Sequence, residues 1–226
     1  MQGHDLTDLK LVRTLDDSYT LYLPSLDEHY HSVKGAIEES QHVFVNAGFR
    51  ACEKVNPLIL EVGFGTGLNL ILTIEEAITS SRSFRYHTVE KYPLGPGITG
   101  KLAKAYENNE TRSRLFLSVH DARWNKPFEL FPGIEIVKTE SDLADLQLEN
   151  IYDLVYFDAF APSKDPVMWS DEILEKVLAS IVKGGLFVTY SATGRLKRTL
   201  KSNGFVVETL KGATGKREMV RGIKKS

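Results

Sequence analysis

Leu58-Ile-Leu-Glu-Val-Gly-Phe-Gly-Thr-Gly-Leu-Asn69 decides how this 226-residue chain is read. An apolar run reaches a carboxylate, Glu61, then passes through a turn with glycine at every second position into an amphipathic segment. That is the order strand, phosphate-type loop, helix of a nucleotide-cofactor fold. Gly63, Gly65 and Gly67 supply positive φ angles and let a ligand approach the backbone. The spacing is not the Gly-x-Gly-x-x-Gly of dinucleotide-binding folds, which makes a dehydrogenase the weakest enzymatic reading. Any tight strand-to-helix turn needs glycine, so the turn alone does not choose the ligand.

Outward from that turn, strand and helix patterns alternate, which predicts a mostly parallel sheet covered on both faces. Seven strands are expected, over Leu58 to Val62, Phe84 to Glu90, Ile134 to Lys138, Tyr152 to Asp158, Leu186 to Tyr190, Phe205 to Leu210 and Met219 to Ile223. Only Gly212 to Arg217 separates the last two, so they read as an antiparallel hairpin. Helices are expected over Leu68 to Thr79, within Pro96 to Asn108, and over Asp171 to Val182 and Gly194 to Ser202, with Gly184-Gly185 as a turn before the fifth strand. Residues 109–133 carry breakers, Trp124-Asn-Lys-Pro127 and Phe131-Pro-Gly133, around short apolar pieces and receive no assignment. Upstream, residues 9–23 read as a hairpin and Val33 to Val45 as a helix ended by Asn46-Ala-Gly48. The chain thus divides into an N-terminal hairpin and helix extension, 1–50, and a Rossmann-like α/β domain, 51–226.

Composition is that of an ordinary globular chain. No apolar run approaches the ~20 residues of a membrane span, and the N-terminus lacks a signal pattern. Cys52 is the single cysteine, which excludes an intramolecular disulfide and a cysteine-rich metal site. These features point to the cytoplasm. His4, His29, His31, His42, His87 and His120 form no convincing ligand set, so no metal is expected. Charge is uneven: Lys183 to Ser226 holds eleven Lys/Arg against two acids, whereas the other 182 residues hold seventeen against twenty-eight. A basic C-terminal quarter on an acidic body is either a face for a polyanion or a set of solvated helix charges.

Four acids stand at strand ends. Glu61 precedes the glycine turn, placed to accept from the amino group of a cofactor's amino-acid tail. Glu90 follows Gly67 by 23 residues, the interval at which an acid accepts both ribose hydroxyls of an adenosine. Asp142 is either an acceptor for the adenine amino group or a helix N-cap. Asp158 closes the fourth strand, in Phe157-Asp-Ala-Phe-Ala-Pro162 through Met168-Trp169. Ligands of open α/β sheets bind where strand order reverses, and Asp158 would flank that point. With Phe160, Pro162 and Trp169 beside it, it suggests a pocket for a flat ring bearing a cationic group. Alternatively Pro162, Pro166 and Trp169 pack a rigid loop.

At these residues the chain resembles a known family. Glu61-Val-Gly-Phe-Gly-Thr-Gly-Leu-Asn69, Val89-Glu-Lys-Tyr-Pro93, the Phe157 to Trp169 loop and Gly215-Lys-Arg-Glu-Met219 are similar to the methyltransferase domain of MnmC, and Tyr30-His-Ser32, Gly35, Glu39-Ser40 and Val43-Phe44 fit its N-terminal region. The resemblance implies a class I S-adenosylmethionine-dependent methyltransferase that acts on the tRNA anticodon loop. It would methylate the primary amine of 5-aminomethyl-(2-thio)uridine at the wobble position. It further implies Asp158 as the active-site aspartate, with Glu61, Gly63, Phe64, Gly65, Gly67, Asn69, Glu90, Lys91 and Asp142 around the cofactor. Tyr30, Ser32, Phe160, Pro162, Trp169, Lys216, Arg217 and Glu218 would meet the substrate or tRNA. The two-domain form carries an FAD oxidase after this domain. A chain ending at Ser226 has no room for it, so a separate enzyme is expected to supply the aminomethyl precursor.

An ordinary Asp has a pKa of about 4, some six units below an alkyl amine, so Asp158 orients the ammonium unless burial raises its pKa. Lys211 to Arg217 with Arg195, Lys197, Arg198 and Lys201 form the candidate tRNA face. Two competing readings remain: an N-methyltransferase of a small amine, and a non-catalytic RNA-binding protein that retains the fold.

Overall fold

The computed structural model describes residues 8–106 and 109–225. His4 and Asn108, the expected end of the helix after Pro96, lie outside them. Strands β1 (Lys10–Arg13), β2 (Tyr19–Leu23) and β3 (Glu28–His29) form a small antiparallel sheet. Helix α1 (Ala36–Ser40) continues as a π-wound segment, Gln41–Phe49. Next come β4 (Leu58–Val62), α2 (Leu68–Ser80), β5 (Phe84–Glu90), α3 (Pro96–Ala105), α4 (Glu110–Asp121), β6 (Pro127–Phe131) and β7 (Ile134–Glu140). The chain continues with β8 (Tyr152–Phe157), α5 (Asp171–Ala179), β9 (Ile181–Thr189), α6 (Gly194–Ser202), β10 (Phe205–Lys211) and β11 (Glu218–Lys224).

The main sheet has the order β10-β11-β9-β8-β4-β5-β7-β6. The five central strands, β9 to β7, pair in parallel; β10, β11 and β6 are antiparallel. From β4 the chain builds outward through β5 and β7, then returns to lay β8 on the other side of β4. The reversal of strand order therefore falls between β4 and β8, and their carboxyl ends open the crevice there.

Side chains alternate across each strand, so β8 feeds two cores. Tyr156 packs on one face with Phe44, Phe49 and Tyr86. Phe157 packs on the other with Trp169, Leu174 and Phe187. Each such fully buried side chain contributes about 1.5–3 kcal/mol relative to exposure.

The sheet has eight strands, not seven. The unassigned stretch supplies the difference: β6 is an edge strand whose side chains alternate between exposed and half-buried. Ahead of it α4 starts at Asn109, whose side chain accepts from Arg112 N, and buries Leu115, Phe116 and Val119. Gly48 does not stop the first helix. A Cβ there would lie 2.9 Å from the Tyr156 ring, so this glycine allows close packing on the sheet. Gly184-Gly185 is no turn either: it lies inside β9, where the pairing with β8 shifts register. The helix expected to reach Val182 ends at Ala179.

Gly63 fixes the strand-to-loop junction. Its φ is +89°, and a Cβ would sit 2.6 Å from the carbonyl oxygen of Asp158. Both partners are backbone, so neither can move aside cheaply. Gly63→Ala should therefore destabilise the chain by about 1–3 kcal/mol, read as a lower midpoint of urea unfolding with unchanged slope. An unchanged midpoint would contradict this account of the junction.

Candidate active site

Gly67 has φ +74° and lets α2 begin directly beneath the glycine turn. That start places Asn69 between two strand ends. Its Nδ2 donates to Glu61 Oε1 at 3.1 Å and to Asp158 Oδ2 at 2.7 Å. Thr88 Oγ1 donates to Glu61 Oε2 at 2.7 Å. Glu61 is 0% exposed. Burial pushes its carboxyl up to about 8, against the pull of the Thr88 and Asn69 hydrogen bonds. Burial likewise raises Asp158 to about 7, with Asn69 drawing it back down. Asn69 Oδ1 is buried without a hydrogen-bond partner among the described residues.

In front of these groups lies a cavity of about 480 Å³, lined by Gly63, Phe64, Gly65, Glu90, Asp142 and Asp158 from the sheet side. Glu90 Oε2 accepts from Gly65 N at 3.0 Å and its Oε1 from Tyr92 N at 2.9 Å. Each oxygen keeps a second lone pair for a ligand hydroxyl. Asp142 accepts from Lys91 Nζ at 2.6 Å and from Ala144 N at 3.0 Å. It caps a turn rather than a helix, because no helix follows it.

The N-terminal segment closes the opposite wall. Tyr30 lies against Gly65 and meets Phe160 edge to face, with ring centres 5.1 Å apart. His31 Nε2 shares a hydrogen bond with Thr66 Oγ1 at 2.7 Å, and burial holds this imidazole down at about 4, hence neutral. Ser32 N donates to Glu39 Oε2. Glu39 in turn pairs with Lys216 from the β10–β11 hairpin, whose ammonium lies over the Tyr190 ring.

The sequence-derived set is thus partly gathered and partly dispersed. Gly63, Phe64, Gly65, Glu90, Lys91, Asp142, Asp158, Tyr30, Ser32, Phe160 and Lys216 all line the cavity. Glu61 and Asn69 do not; they lie one layer deeper, so the Glu61 carboxylate faces Asn69 and Thr88 instead of a ligand. Gly67 shapes the start of α2 and is not on the wall. Trp169 is no stacking platform: it is 4% exposed, and its Nε1 donates to Phe160 O at 2.7 Å, fixing the loop. Pro162 lines a separate small cleft with Trp169 and Arg195. Arg217 is exposed outside the cavity, and Glu218 accepts from Lys197 Nζ at 2.9 Å. Of the basic face, Lys197 is thereby paired, Arg195 pairs with Asp171 at 3.0 Å, and Arg198 and Lys201 are exposed.

Sequence reasoning gave no role to Glu39 or Tyr190. A tyrosine ending a central strand was an available signal; Glu39, beside Glu38 and followed by Ser40 and Gln41, gave none. Among the described residues no group of three or more His, Cys, Asp or Glu side chains is placed to hold a metal. Among the same residues no helix is long and apolar enough to cross a membrane.

The Glu61 carboxyl carries a stability signature. Its folded pKa of about 8 lies above the ordinary 4.5, so the folded state holds the proton more tightly. The resulting stabilisation is complete below about pH 4.5 and is lost as pH rises through about 8. Glu61→Gln keeps the shape, since the amide accepts from Asn69 and donates to the Thr88 hydroxyl. Its melting temperature should therefore fall less between acid and mildly alkaline pH than that of the unaltered chain, measured by calorimetry. Parallel pH profiles would contradict a buried titrating carboxyl.

Residues 134–225 match a family described as S-adenosyl-L-methionine-dependent methyltransferase. The bifunctional protein MnmC of tRNA 5-methylaminomethyl-2-thiouridine biosynthesis from Leptospira borgpetersenii is 31% identical over 216 residues, covering 87% of this chain and 32% of that protein. Its counterpart from Burkholderia multivorans is 32% identical over 224 residues, covering 91% and 34%. The chain thus spans about a third of the length of these relatives. The crystal structure of MnmC2 from Aquifex aeolicus superposes with a TM-score of 0.76 at 24% identity, covering 96% of this chain and 71% of that one, and shares the fold. The cavity fits an adenosine-bearing sulfonium: Gly63 and Gly65 let a ligand approach the backbone, and the carboxylates of Glu90, Asp142 and Asp158 follow three strand ends. Sequence match, fold and cavity agree: the chain is similar to S-adenosyl-L-methionine-dependent methyltransferases over residues 134–225 and to about a third of the MnmC proteins over most of its own length.

Proposed function

We propose that this chain methylates the primary amine of 5-aminomethyl-(2-thio)uridine at the tRNA wobble position, giving 5-methylaminomethyl-(2-thio)uridine. The observation that carries the reading is Asp158, a carboxylate at the β4–β8 crevice on the wall of the cavity. In a chain so similar to MnmC, a carboxylate there suits an amine acceptor. A tRNA substrate also places the reaction in the cytoplasm. An enzyme of a different class would have to furnish the aminomethyl group.

Bound S-adenosylmethionine supplies an electrophilic methyl group. The residues of this chain position the partners, which accounts for most of the rate in a displacement that needs an in-line lone pair. Backbone at Gly63 and Gly65 would hold the methionine portion, Glu90 the ribose hydroxyls and Asp142 the adenine amino group. Glu61 acts at one remove, by keeping Asn69 turned toward Asp158. Phe160 and Tyr30 offer aromatic surface to a uracil ring turned out of the anticodon loop.

Burial changes what Asp158 can do. At a pKa of about 7 it is a far better proton acceptor than an ordinary aspartate, and it binds the ammonium form once ionised. It therefore orients the amine and is the first acceptor for the proton that must leave before the lone pair can attack. Outside the cavity, Arg198 and Lys201 on α6 and Arg217 at the hairpin tip would meet phosphates.

Methyl incorporation into tRNA should rise as pH passes through about 7, where the Asp158 carboxyl loses its proton. Asp158→Asn should lose at least about 100-fold in kcat, within the usual range for a positioned acid–base group, while still binding S-adenosylhomocysteine. Near-normal kcat in that variant would sink the assignment. The logarithm of tRNA affinity should fall with the logarithm of salt by about 0.7–0.9 per phosphate neutralised. Arg198→Ala and Lys201→Ala should each make that slope shallower. A salt-insensitive affinity would remove the basic face from the account.

A further inference from the structure

The cavity already contains an ammonium group, and it is the chain's own. Lys216 Nζ lies 3.9 Å from the centre of the Tyr190 ring and 2.5 Å from Glu39 Oε1. Glu39, Asp158, Tyr190 and Lys216 all line the same cavity. The charges of Glu39 and Lys216 are both felt at Asp158.

This arrangement is held in place from every side. Glu39 is 7% exposed, and its other oxygen accepts from Ser32 N at 3.0 Å. The Tyr190 hydroxyl donates to Ala159 O at 2.8 Å, which fixes the ring beside the Asp158 loop. An aromatic face with a desolvated carboxylate at its edge is a recognition site for an alkylammonium ion. Lys216 comes from the 212–217 hairpin tip, which a hydrogen bond from Thr214 Oγ1 to Glu38 Oε2 also ties to α1. A lysine serving tRNA phosphates would point outward; this one points in.

We infer that the Tyr190 face and the Glu39 and Asp158 carboxylates form the seat of the substrate's ammonium group, with Lys216 as its resident placeholder. The inference rests on the amine acceptor of the proposed function and deepens it. An incoming alkylammonium replaces one cation by another, so Glu39 is never left as a buried charge without a partner. A neutral group in the same position, such as a hydroxymethyl, cannot displace Lys216 without stranding Glu39. The seat therefore selects for an amine before any chemistry begins.

The test uses benzylammonium, which carries an aromatic ring and an aminomethyl group but no phosphate, with S-adenosylhomocysteine present. Lys216→Met should bind it about tenfold more tightly than the unaltered chain, the scale of a desolvated cation–π contact. Benzyl alcohol, which cannot form an ion pair with the Glu39 carboxylate, should gain much less from the substitution than benzylammonium does. In the unaltered chain, saturating benzylammonium should raise the trace-acetylation rate of Lys216, read by peptide mass spectrometry, and leave other lysines unchanged. This second measurement decides the matter even if the variant does not fold. A folded Lys216→Met chain with no gain in affinity, or unchanged Lys216 reactivity at saturation, overturns the seat. If benzylammonium releases Lys216 but 5-aminomethyluridine does not, the seat stands and the wobble-uridine reading falls.

Discussion

One side-chain amide holds the site together. Asn69 gives both hydrogens of Nδ2 to carboxylates, Glu61 at the end of β4 and Asp158 at the end of β8. Two acids this close in a poorly solvated crevice resist ionisation, and burial raises both toward neutrality instead. The bridge exists only because α2 starts immediately after the glycine turn, with its first residues beneath both strand ends. Gly63 makes that start possible by letting the turn pass against the backbone of Asp158. Turn, amide and carboxylates are therefore one unit, and the Asp158 carboxyl cannot move independently of the glycine turn.

The second constraint comes from outside the central sheet. Residues 30–39 add a second wall to the crevice, through Tyr30 on Gly65, the neutral His31 on Thr66 and Glu39 on Lys216. Carboxylates buried behind such walls feel each electrostatic contact more strongly than they would in open water. The same helix continues as the π-wound segment that packs Phe44 and Phe49 into the sheet core. The wall of the cavity and the floor of the fold are consequently tied to one another.

Much of this was legible in the sequence because it depends on local rules. β4, β5 and α6 have the bounds that their patterns imply, and the terminal hairpin is antiparallel. Legibility failed where tertiary packing overrode a local signal. Gly48 and Gly184-Gly185 read as punctuation, but one serves close packing and the other a bulge inside a strand. The helix α4 was hidden by flanking breakers, although Leu115, Phe116 and Val119 have helical spacing. At the site, strand-end acids were visible as a pattern, whereas the depth of each was not. Sequence cannot tell that Glu61 lies behind Asn69 while Asp158 faces the cavity. Nor can it bring Glu39 and Lys216, far apart in the chain, to one aromatic ring.

The chain spans about a third of the length of the MnmC relatives it matches. The most direct measurement supplies S-adenosylmethionine and tRNA whose wobble uridine carries the aminomethyl group, followed by nucleoside mass spectrometry. The account predicts that this nucleoside gains the mass of one methyl group on its side-chain nitrogen and that no other nucleoside changes. Methylation at another nucleoside, or none by a chain that binds the cofactor, would contradict it.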